Sequence, residues 1–287
     1  MHDIFYFTDV HGCYDLYRAA IDYCLEQDPE CMIIYGGDAC DRGSNGYKIM
    51  KELLDNPQVV YLMGNHEDMF VNAARFIMND YHGSLKDEDI LQYLNNCITN
   101  SFNNYKIYSS LYNGGGPTLF DWMQDGMSKE FVDKIANLPL TISYENLDFC
   151  HAGGNPKTFL EISTNEYYAY EANKNSKEMI LWDRNWLGFG WIPERICIFG
   201  HTPTTYLPVK YYGQDKSIAN AHPCKYTGLI DERLNGYKID MDTATAFSGK
   251  LYVLHCLTMQ AQGFYDKDFG KDENRCHEIE KIEVIKF

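Results

Sequence analysis

Short apolar runs that stop at polar motifs constrain the fold of this chain most strongly. Three runs of four or five apolar residues, at positions 4–7, 32–35 and 59–63, each end immediately before such a motif. Apolar residues at helical spacing occupy positions 14–27 and 47–54 between these runs. The alternation predicts strands joined by crossover helices in an α/β fold. The motifs then lie at the carboxyl ends of strands, where open α/β sheets leave a crevice for ligands.

The second half of the chain contains further apolar runs, and two of them also end at motifs. Residues 247–250 separate the last two runs and are predicted to form a hairpin connection. The charged tail, residues 260–287, ends in an alternating pattern that predicts an edge strand. The predicted strands of this half cover residues 140–144, 147–150, 196–199, 239–241 and 251–257.

Two long stretches depart from this alternation. Residues 68–138 carry apolar side chains at helical spacing, with a polar break at residues 79–89, and predict a group of helices. A glycine run at residues 113–117 interrupts them; a phosphate-cradling loop is one reading, and we prefer a simple linker. Residues 203–235 are rich in Tyr, Gly, Asn and Lys, lack periodicity, and are predicted to form a long surface insertion.

The acidic composition restricts the partners of the chain. Its 25 Lys and Arg against 41 Asp and Glu leave a formal net charge of −16, which repels nucleic-acid backbones. No apolar stretch approaches the length of a membrane span, and the N-terminus lacks a basic region before an apolar segment. We therefore expect neither a nucleic-acid partner nor a membrane segment.

The cysteines indicate the redox environment. Ten of them are scattered singly without a CxxC pair, and several lie in apolar runs, where a thiol behaves as a small buried apolar group. This favours free thiols and a cytoplasmic location. With 287 residues, the chain is long enough to form one large domain, residues 1–287. The oligomeric state stays open.

Five motifs carry the chemistry. They combine carboxylates, imidazoles and a side-chain amide, which are oxygen and nitrogen ligands for divalent cations. Two such cations held close together, with one bridging carboxylate, lower the pKa of a shared water and allow in-line attack on phosphorus. One motif alone is weak evidence, whereas five are hard to explain by coincidence. The motifs are Asp9-Val10-His11-Gly12, Gly37-Asp38-Ala39-Cys40-Asp41-Arg42-Gly43, Gly64-Asn65-His66-Glu67, His151-Ala152-Gly153-Gly154 and Gly200-His201-Thr202-Pro203.

The order and content of these motifs resemble the calcineurin-like metallophosphoesterases. Within them, they resemble the phosphoprotein phosphatase branch, which includes lambda-type and bacterial serine/threonine phosphatases and is related to the diadenosine tetraphosphatases. The resemblance covers residues 3–254. It implies a β-sandwich of mixed sheets flanked by helices, in α-β-β-α layers, with residues 68–138 as a helical cap.

The resemblance also implies a role for the motif residues. Two divalent cations are implied, Mn²⁺ first, with Fe, Zn, Ni or Co as alternatives. The implied metal ligands are Asp9 and His11 for the first ion, Asp38 as the bridge, and Asn65, His151 and His201 for the second.

The remaining implied roles concern the phosphate and the proton. Arg42 would clamp phosphate through its bidentate guanidinium, together with Asn65. Arg184, in a Trp-x-Arg element, would be the second clamp, although a local salt bridge is an alternative for this residue. His66 would act as general acid, because the neighbouring Asp41 raises the pKa of its imidazole and fixes its orientation.

Three functions follow as hypotheses. The first is a dinuclear-metal-dependent phosphoric monoester hydrolase, a serine/threonine or dual-specificity protein phosphatase whose substrate is a phosphoprotein or a small phosphorylated molecule. The second keeps the site but cleaves dinucleoside polyphosphates. The third is a catalytically silent scaffold or regulatory module, which is disfavoured because every ligand position is filled.

Several polar residues near the motifs receive simpler interpretations. Glu67 is interpreted as a carboxylate at a helix N-terminus, where the helix dipole favours negative charge. Asp240 and Asp242 could support the site by hydrogen bonds, but a turn at a strand end explains them equally well. His255 is predicted to be a hydrogen-bonded core residue. His2, His82, His222 and His277 are predicted to be exposed.

Overall fold

The computed structural model describes residues 2–99, 105–153, 173–184, 191, 194–207, 216–226, 236–271 and 277–287. The strands are β1 (Ile4–Phe7), β2 (Met32–Tyr35), β3 (Val59–Tyr61), β4 (Thr141–Tyr144), β5 (Leu147–Cys150), β6 (Ile196–Phe199), β7 (Cys224–Tyr226), β8 (Tyr237–Asp240), β9 (Lys250–His255), β10 (Gln260–Asp266) and β11 (Ile279–Lys286). The helices are α1 (Tyr14–Gln27), α2 (Gly46–Asp55), α3 (Asn65–Asp80), α4 (Asp87–Thr99), α5 (Tyr105–Tyr112), α6 (Gly116–Gln124), α7 (Lys129–Ala136), α8 (Asn173–Trp182) and α9 (Thr245–Ser248).

The first sheet has the strand order β11-β10-β9-β1-β2-β3. Strands β1, β2 and β3 are parallel, and their ends are aligned, since Phe7 pairs with Tyr35 and Tyr35 with Tyr61. Strand β9 runs antiparallel to β1, and β10 and β11 continue the sheet as antiparallel neighbours. The loops after β1, β2 and β3 therefore leave the sheet side by side.

The second sheet has the strand order β4-β5-β6-β8-β7. Its three central strands are parallel, and β4 and β7 are antiparallel edges. His151 directly follows β5, and His201 follows β6 after one glycine. Motif residues of this sheet thus also leave from the carboxyl ends of neighbouring strands.

Alternating side chains along the strands produce the layers. In β1, Tyr6 points toward the second sheet, where its ring stacks on Phe149 at a centroid distance of 5.7 Å. Phe5 and Phe7 point to the opposite face and pack in a core with residues of α1 such as Tyr17. On the far side of the second sheet, Ile180 and Leu181 of α8 pack against Cys197 and Phe199. Because both sheets are covered on both faces, the architecture is the predicted α-β-β-α sandwich of mixed sheets.

Local sequence signals predict several of these elements well. The bounds of β1, β2 and α1 agree with the prediction, and residues 68–138 contain most of α3 and the helices α4 to α7, joined by short non-helical segments. The polar break separates α3 from α4, and β11 is the predicted edge strand. Among the described residues, the buried free thiols include, as expected, Cys24, Cys31, Cys40, Cys150, Cys197 and Cys256.

The predicted hairpin between residues 239–241 and 251–257 is wrong. Strand β8 belongs to the second sheet and β9 to the first, so their connection crosses between the sheets. It contains the short helix α9, which ends at Gly249 in the left-handed conformation (φ 66°). That glycine terminates a helix and does not form a hairpin turn. The hairpin of this region joins β9 to β10 instead.

The surface insertion at residues 203–235 stays a prediction, although part of this segment belongs to the second sheet. Strand β7 pairs with β8 and extends the second sheet. Leu207, Ala221 and Cys224 are buried. Residues 208–215 and 227–235 of the predicted insertion lie outside the described residues. Among the helices that the structure does describe, none combines the length and apolarity that a membrane crossing needs.

Candidate metal centre

Backbone hydrogen bonds join the loops after β1 and β2. The backbone N–H groups of Asp9 and His11 donate to the carbonyls of Gly37 and Asp38, each at 3.0 Å. The adjacent parallel strands thus place the first two motifs in direct contact, as their positions at strand ends predict.

Left-handed backbone conformations are concentrated in these loops. A non-glycine residue in this region costs about 1–3 kcal/mol, and such strain is typical of functional sites. The site residues concerned are Asp9 (φ 55°), His11 (48°), Asp38 (58°), Asp41 (69°), Arg42 (66°) and His201 (68°).

The imidazole of His11 faces two carboxylates. Its Nε2 lies 3.9 Å from Oδ1 of Asp9 and 3.6 Å from Oδ2 of Asp38. Its Nδ1 lies 2.9 Å from the carbonyl oxygen of Cys40, which accepts a hydrogen bond when Nδ1 carries the proton. Burial, together with nearby positive charge, holds the pKa of His11 well below its ordinary value. Nε2 then carries no proton, and its lone pair is available to a metal ion. Histidine binds metals in this neutral form.

Asp38 lies between this histidine and a second group of side chains. Its Oδ1 is 3.3 Å from Nε2 of His151, which is also 3.0 Å from Oδ1 of Asn65. Nδ1 of His151 lies 2.8 Å from the carbonyl oxygen of Gly36, and Nδ1 of His201 lies 2.9 Å from Oδ1 of Asn65. One carboxylate therefore contacts both groups, which is the geometry that a bridging ligand requires.

The electrostatic environment of this second group favours the binding of a cation. Burial disfavours the charged imidazole of His151, but Asp38 outweighs it and raises the pKa of His151 to about 10. Burial and the neighbouring His151 lower the pKa of His201 to about 2. Burial also opposes the charge of Asp38, yet the adjacent imidazoles hold its pKa well below the ordinary value. A metal ion held by this group would displace a proton from His151, because histidine binds metals in its neutral form.

Buried carboxylates surround the centre, and four of them provide a test of its charge. Asp9, Asp38, Asp240 and Asp242 are at most 4% exposed. Burial raises the pKa of Asp9 and of Asp240 well above the ordinary value, and raises that of Asp242 to about 6. Buried like charges are costly unless cations neutralise them. The donor set of carboxylates, imidazoles and one amide therefore fits two divalent cations.

Among the residues that the structure describes, two groups of ligand atoms lie close enough to hold an ion. In each group the ligand atoms lie within 4.8 Å of one another. One group consists of His11, Asp38 and His66, and the other consists of Asp38, His151 and His201. The first group contains His66 in the place where the resemblance implies Asp9. The oxygens of Asp9 instead accept the backbone N–H of His201 at 3.1 and 3.2 Å. The assignment of individual ligands stays a prediction.

His66 and Asp41 form the pair that the sequence suggests. Nδ1 of His66 lies 2.8 Å from Oδ2 of Asp41, and its Nε2 lies 3.2 Å from Nη2 of Arg42. Burial opposes the charged imidazole, but Asp38 and the hydrogen bond to Asp41 outweigh it, so the pKa of His66 is raised. Asp41 thus fixes one nitrogen of the ring while the other faces the arginine.

The turn at residues 113–117 supports Arg42 and is more than a linker. The backbone N–H of Arg42 donates to the carbonyl of Gly114 at 3.0 Å. Gly114 is left-handed (φ 91°), and a Cβ added to it would lie 2.9 Å from the backbone nitrogen of Arg42. Only glycine satisfies both conditions without a shift of the arginine loop.

The Gly114→Ala variant is expected to bind substrate more weakly. The left-handed backbone costs about 1–2 kcal/mol of stability. The contact with Arg42 shifts the arginine, and a loss of about 1.4 kcal/mol in transition-state binding corresponds to roughly a tenfold lower kcat/KM. The matched control is Gly126→Ala, because Gly126 has a similar φ of 88° and nothing within 4 Å of its added Cβ. Both variants should melt at lower temperature, and only Gly114→Ala should raise KM. Equal kinetics for the two would contradict a role of Gly114 in placing Arg42.

Arg184 lies beside the second group of ligands. Its Nη2 donates to the carbonyl of His201 at 3.3 Å, and its side chain is exposed. The preceding Trp182 packs its ring edge-on against that of His201, at 6.1 Å between centroids. Arg42 and Arg184 thus contact different histidines of the centre. Their part in phosphate binding stays a prediction.

Glu67 is a supporting residue that the sequence interpretation underestimates. It is fully buried, and its carboxylate accepts four hydrogen bonds, each of 2.8 Å. The bond from the N–H of Gly64 lies at the start of α3, as the helix-terminus interpretation implies. The other donors are the N–H groups of Asp38 and Ala39 and the hydroxyl of Tyr61. Glu67 therefore holds the loop that carries Asp38.

Other polar residues give mixed outcomes. The turn interpretation of Asp240 and Asp242 fits, since Oδ1 of each accepts a backbone N–H two residues ahead, at 3.1 and 2.7 Å. His255 is partly buried and lies 3.4 Å from Asp3, in line with its prediction. The predicted exposure of His277 is wrong, because its Nδ1 lies 2.7 Å from Oδ2 of Asp266.

Solved structures of phosphatases are similar to this chain at low sequence identity. A candidate diadenosine tetraphosphatase is 12% identical, with 98% of this chain and 93% of that chain covered and a TM-score of 0.45. A Saccharomyces cerevisiae protein serine/threonine phosphatase is 13% identical, with coverage of 100% and 81% and a TM-score of 0.44. A mutant cold-active protein tyrosine phosphatase is 17% identical, with coverage of 92% and 77% and a TM-score of 0.43.

No curated protein sequence matches the chain. Residues 2–226 match the family described as calcineurin-like phosphoesterase. This match spans most of the 287 residues and contains all five motifs. The chain belongs to the calcineurin-like phosphoesterases, which are metal-dependent phosphoric ester hydrolases.

Proposed function

We propose that this protein is a dinuclear-metal-dependent phosphomonoesterase that removes phosphate from phosphorylated side chains of proteins, with Mn²⁺ as the activating metal. Serine and threonine phosphates are the first substrates to test, and tyrosine phosphate is included. The family match supports hydrolysis of a phosphoric ester, and the two groups of buried ligands support a metal centre.

The chain supplies what the reaction needs around the metals. Two bound divalent cations would provide an activated water at neutral pH and neutralise charge on the phosphate oxygens. Arg42 and Arg184 bind the remaining phosphate oxygens through their guanidinium groups. His66 gives a proton to the oxygen of the leaving group, and Asp41 orients its ring.

The hydrogen-bonded pair of His66 and Asp41 is the observation that carries this proposal. An alcohol leaving group is strongly basic and needs a proton as its bond to phosphorus breaks. The leaving group of a dinucleoside polyphosphate is itself a phosphate, which is much less basic. An acid that Asp41 orients through a contact of 2.8 Å therefore favours a monoester over a phosphoanhydride as substrate.

A direct comparison of substrates tests the proposal. Chelator-stripped protein should be inactive and should recover activity with added Mn²⁺. The restored enzyme should release phosphate from a phosphoserine peptide faster than it cleaves diadenosine tetraphosphate. Preferential cleavage of the nucleotide would move the protein to the polyphosphate hydrolases, and a metal-loaded protein that hydrolyses neither would favour a silent scaffold. His66→Asn is the control for adventitious phosphatase activity.

A further inference from the structure

An exposed aromatic side chain stands beside the arginine of the site. Phe247 belongs to α9, the short helix between the two sheets, and is 60% exposed. Cζ of Arg42 lies over the ring of Phe247, 5.5 Å from its centroid. A phenylalanine with most of its surface in water next to a charged site has apolar area available for a ligand.

Arg42 connects Phe247 to the acid that acts on the leaving group. One side of the guanidinium contacts Nε2 of His66, and its face contacts the ring of Phe247. His66, Asp38 and Asp41 are almost fully buried, so the group attached to the phosphate cannot extend in their direction. One direction toward solvent runs past the exposed Arg42, on the side where Phe247 is exposed.

We propose that Phe247 is a specificity-determining residue that selects phosphate monoesters with an aromatic leaving group, as in phosphotyrosine. The inference rests on the phosphomonoesterase function proposed above and names its substrate class. The ring of the leaving group packs against the ring of Phe247 in an offset or edge-to-face arrangement. An aliphatic leaving group, as in phosphoserine, has no ring to make this contact.

An alternative role for Phe247 predicts a different effect of its mutation on substrate preference. If the ring only holds the guanidinium of Arg42 by a cation–π contact, its loss weakens phosphate binding for every substrate. If it contacts the leaving group, its loss affects only aromatic esters. The change in substrate preference on mutation therefore separates the two roles, whereas the preference of the wild type alone also reflects the lower basicity of a phenol.

The test compares two peptides of the same sequence, one with phosphotyrosine and one with phosphoserine. In Phe247→Leu and Phe247→Ala, kcat/KM for the phosphotyrosine peptide should fall about tenfold, the effect of one aromatic contact. For the phosphoserine peptide it should fall by no more than about twofold, because only the exposed cation–π contact with Arg42 is lost. Phe247→Tyr keeps the ring and should retain the wild-type preference. Because Phe247 is exposed, all three variants should fold, and thermal melting checks this.

The outcomes separate this inference from the proposed function. Equal losses on both peptides would overturn it and leave Phe247 as a residue that positions Arg42. Unchanged kinetics in Phe247→Leu would overturn it as well. In either case phosphoserine hydrolysis by the wild type still supports the phosphomonoesterase. A wild-type protein that cleaves diadenosine tetraphosphate and neither peptide would refute the proposed function itself.

Discussion

Replacing His66 by asparagine is expected to lower kcat by about 10²- to 10⁴-fold while both metal ions stay bound, because a positioned general acid contributes that much. Asparagine keeps a polar side chain of similar length but cannot transfer a proton at neutral pH. Steady-state kinetics on a phosphoserine peptide, with metal content measured on the same samples, gives the result. Loss of one metal ion in this variant would show that His66 is a ligand, in line with its place beside His11 and Asp38.

The size of the His66→Asn effect should depend on the leaving group. p-Nitrophenolate leaves without much help from an acid, so the loss on p-nitrophenyl phosphate should be smaller than that on the phosphoserine peptide. Asp41→Asn is the companion variant: it removes the carboxylate that orients the ring but keeps the acid, and it should lose about 10- to 100-fold. Equal losses on both substrates would contradict the role of His66 as the acid.

Much of the fold is predictable because its signals are local. Strand β1 is a short continuous apolar run that stops at a motif, whereas α1 carries apolar residues at helical spacing, and a few residues suffice to show each pattern. The convergence of the motifs after β1 and β2 also follows from the sequence, because parallel neighbouring strands end at one edge. Membership of the calcineurin-like phosphoesterases supports a phosphoesterase chemistry, and the role of each motif residue stays a prediction.

Contacts between distant segments cannot be predicted from the local sequence pattern. From the sequence, Gly114 is interpreted as part of a linker. In the structure its carbonyl accepts a hydrogen bond from the backbone N–H of Arg42. The connection from β8 to β9 looks like a hairpin because the two strands follow each other, yet they belong to different sheets. Strand β7 lacks an alternating pattern and depends on pairing with β8. In each case the partner, and not the local pattern, decides the structure.

Glu67 shows the same dependence on a distant partner, and its replacement by glutamine is expected to weaken metal binding about 10- to 100-fold, as for other groups that orient metal ligands. One carboxylate oxygen accepts the N–H groups of Asp38 and Gly64, and the other accepts those of Ala39 and the Tyr61 hydroxyl. Because both oxygens face backbone N–H donors, the NH₂ group of a glutamine must oppose at least one of them. The free energy of unfolding should fall by about 1–3 kcal/mol, the cost of an unsatisfied buried donor.

Tyr61→Phe is the matched control for this variant. It removes the hydroxyl that donates to Glu67, while the Glu67 carboxylate still accepts the N–H groups of Asp38 and Ala39. The free energy of unfolding should therefore fall by about 1.5–3 kcal/mol, the contribution of a hydrogen bond to a charged group. Its affinity for Mn²⁺ should stay within about twofold of the wild type, because the Asp38 loop keeps its own contacts. Calorimetric titration of the stripped proteins with Mn²⁺ measures the difference. Equal metal affinities for Glu67→Gln and the wild type would show that Glu67 stabilises the start of α3 and does not place the bridging carboxylate.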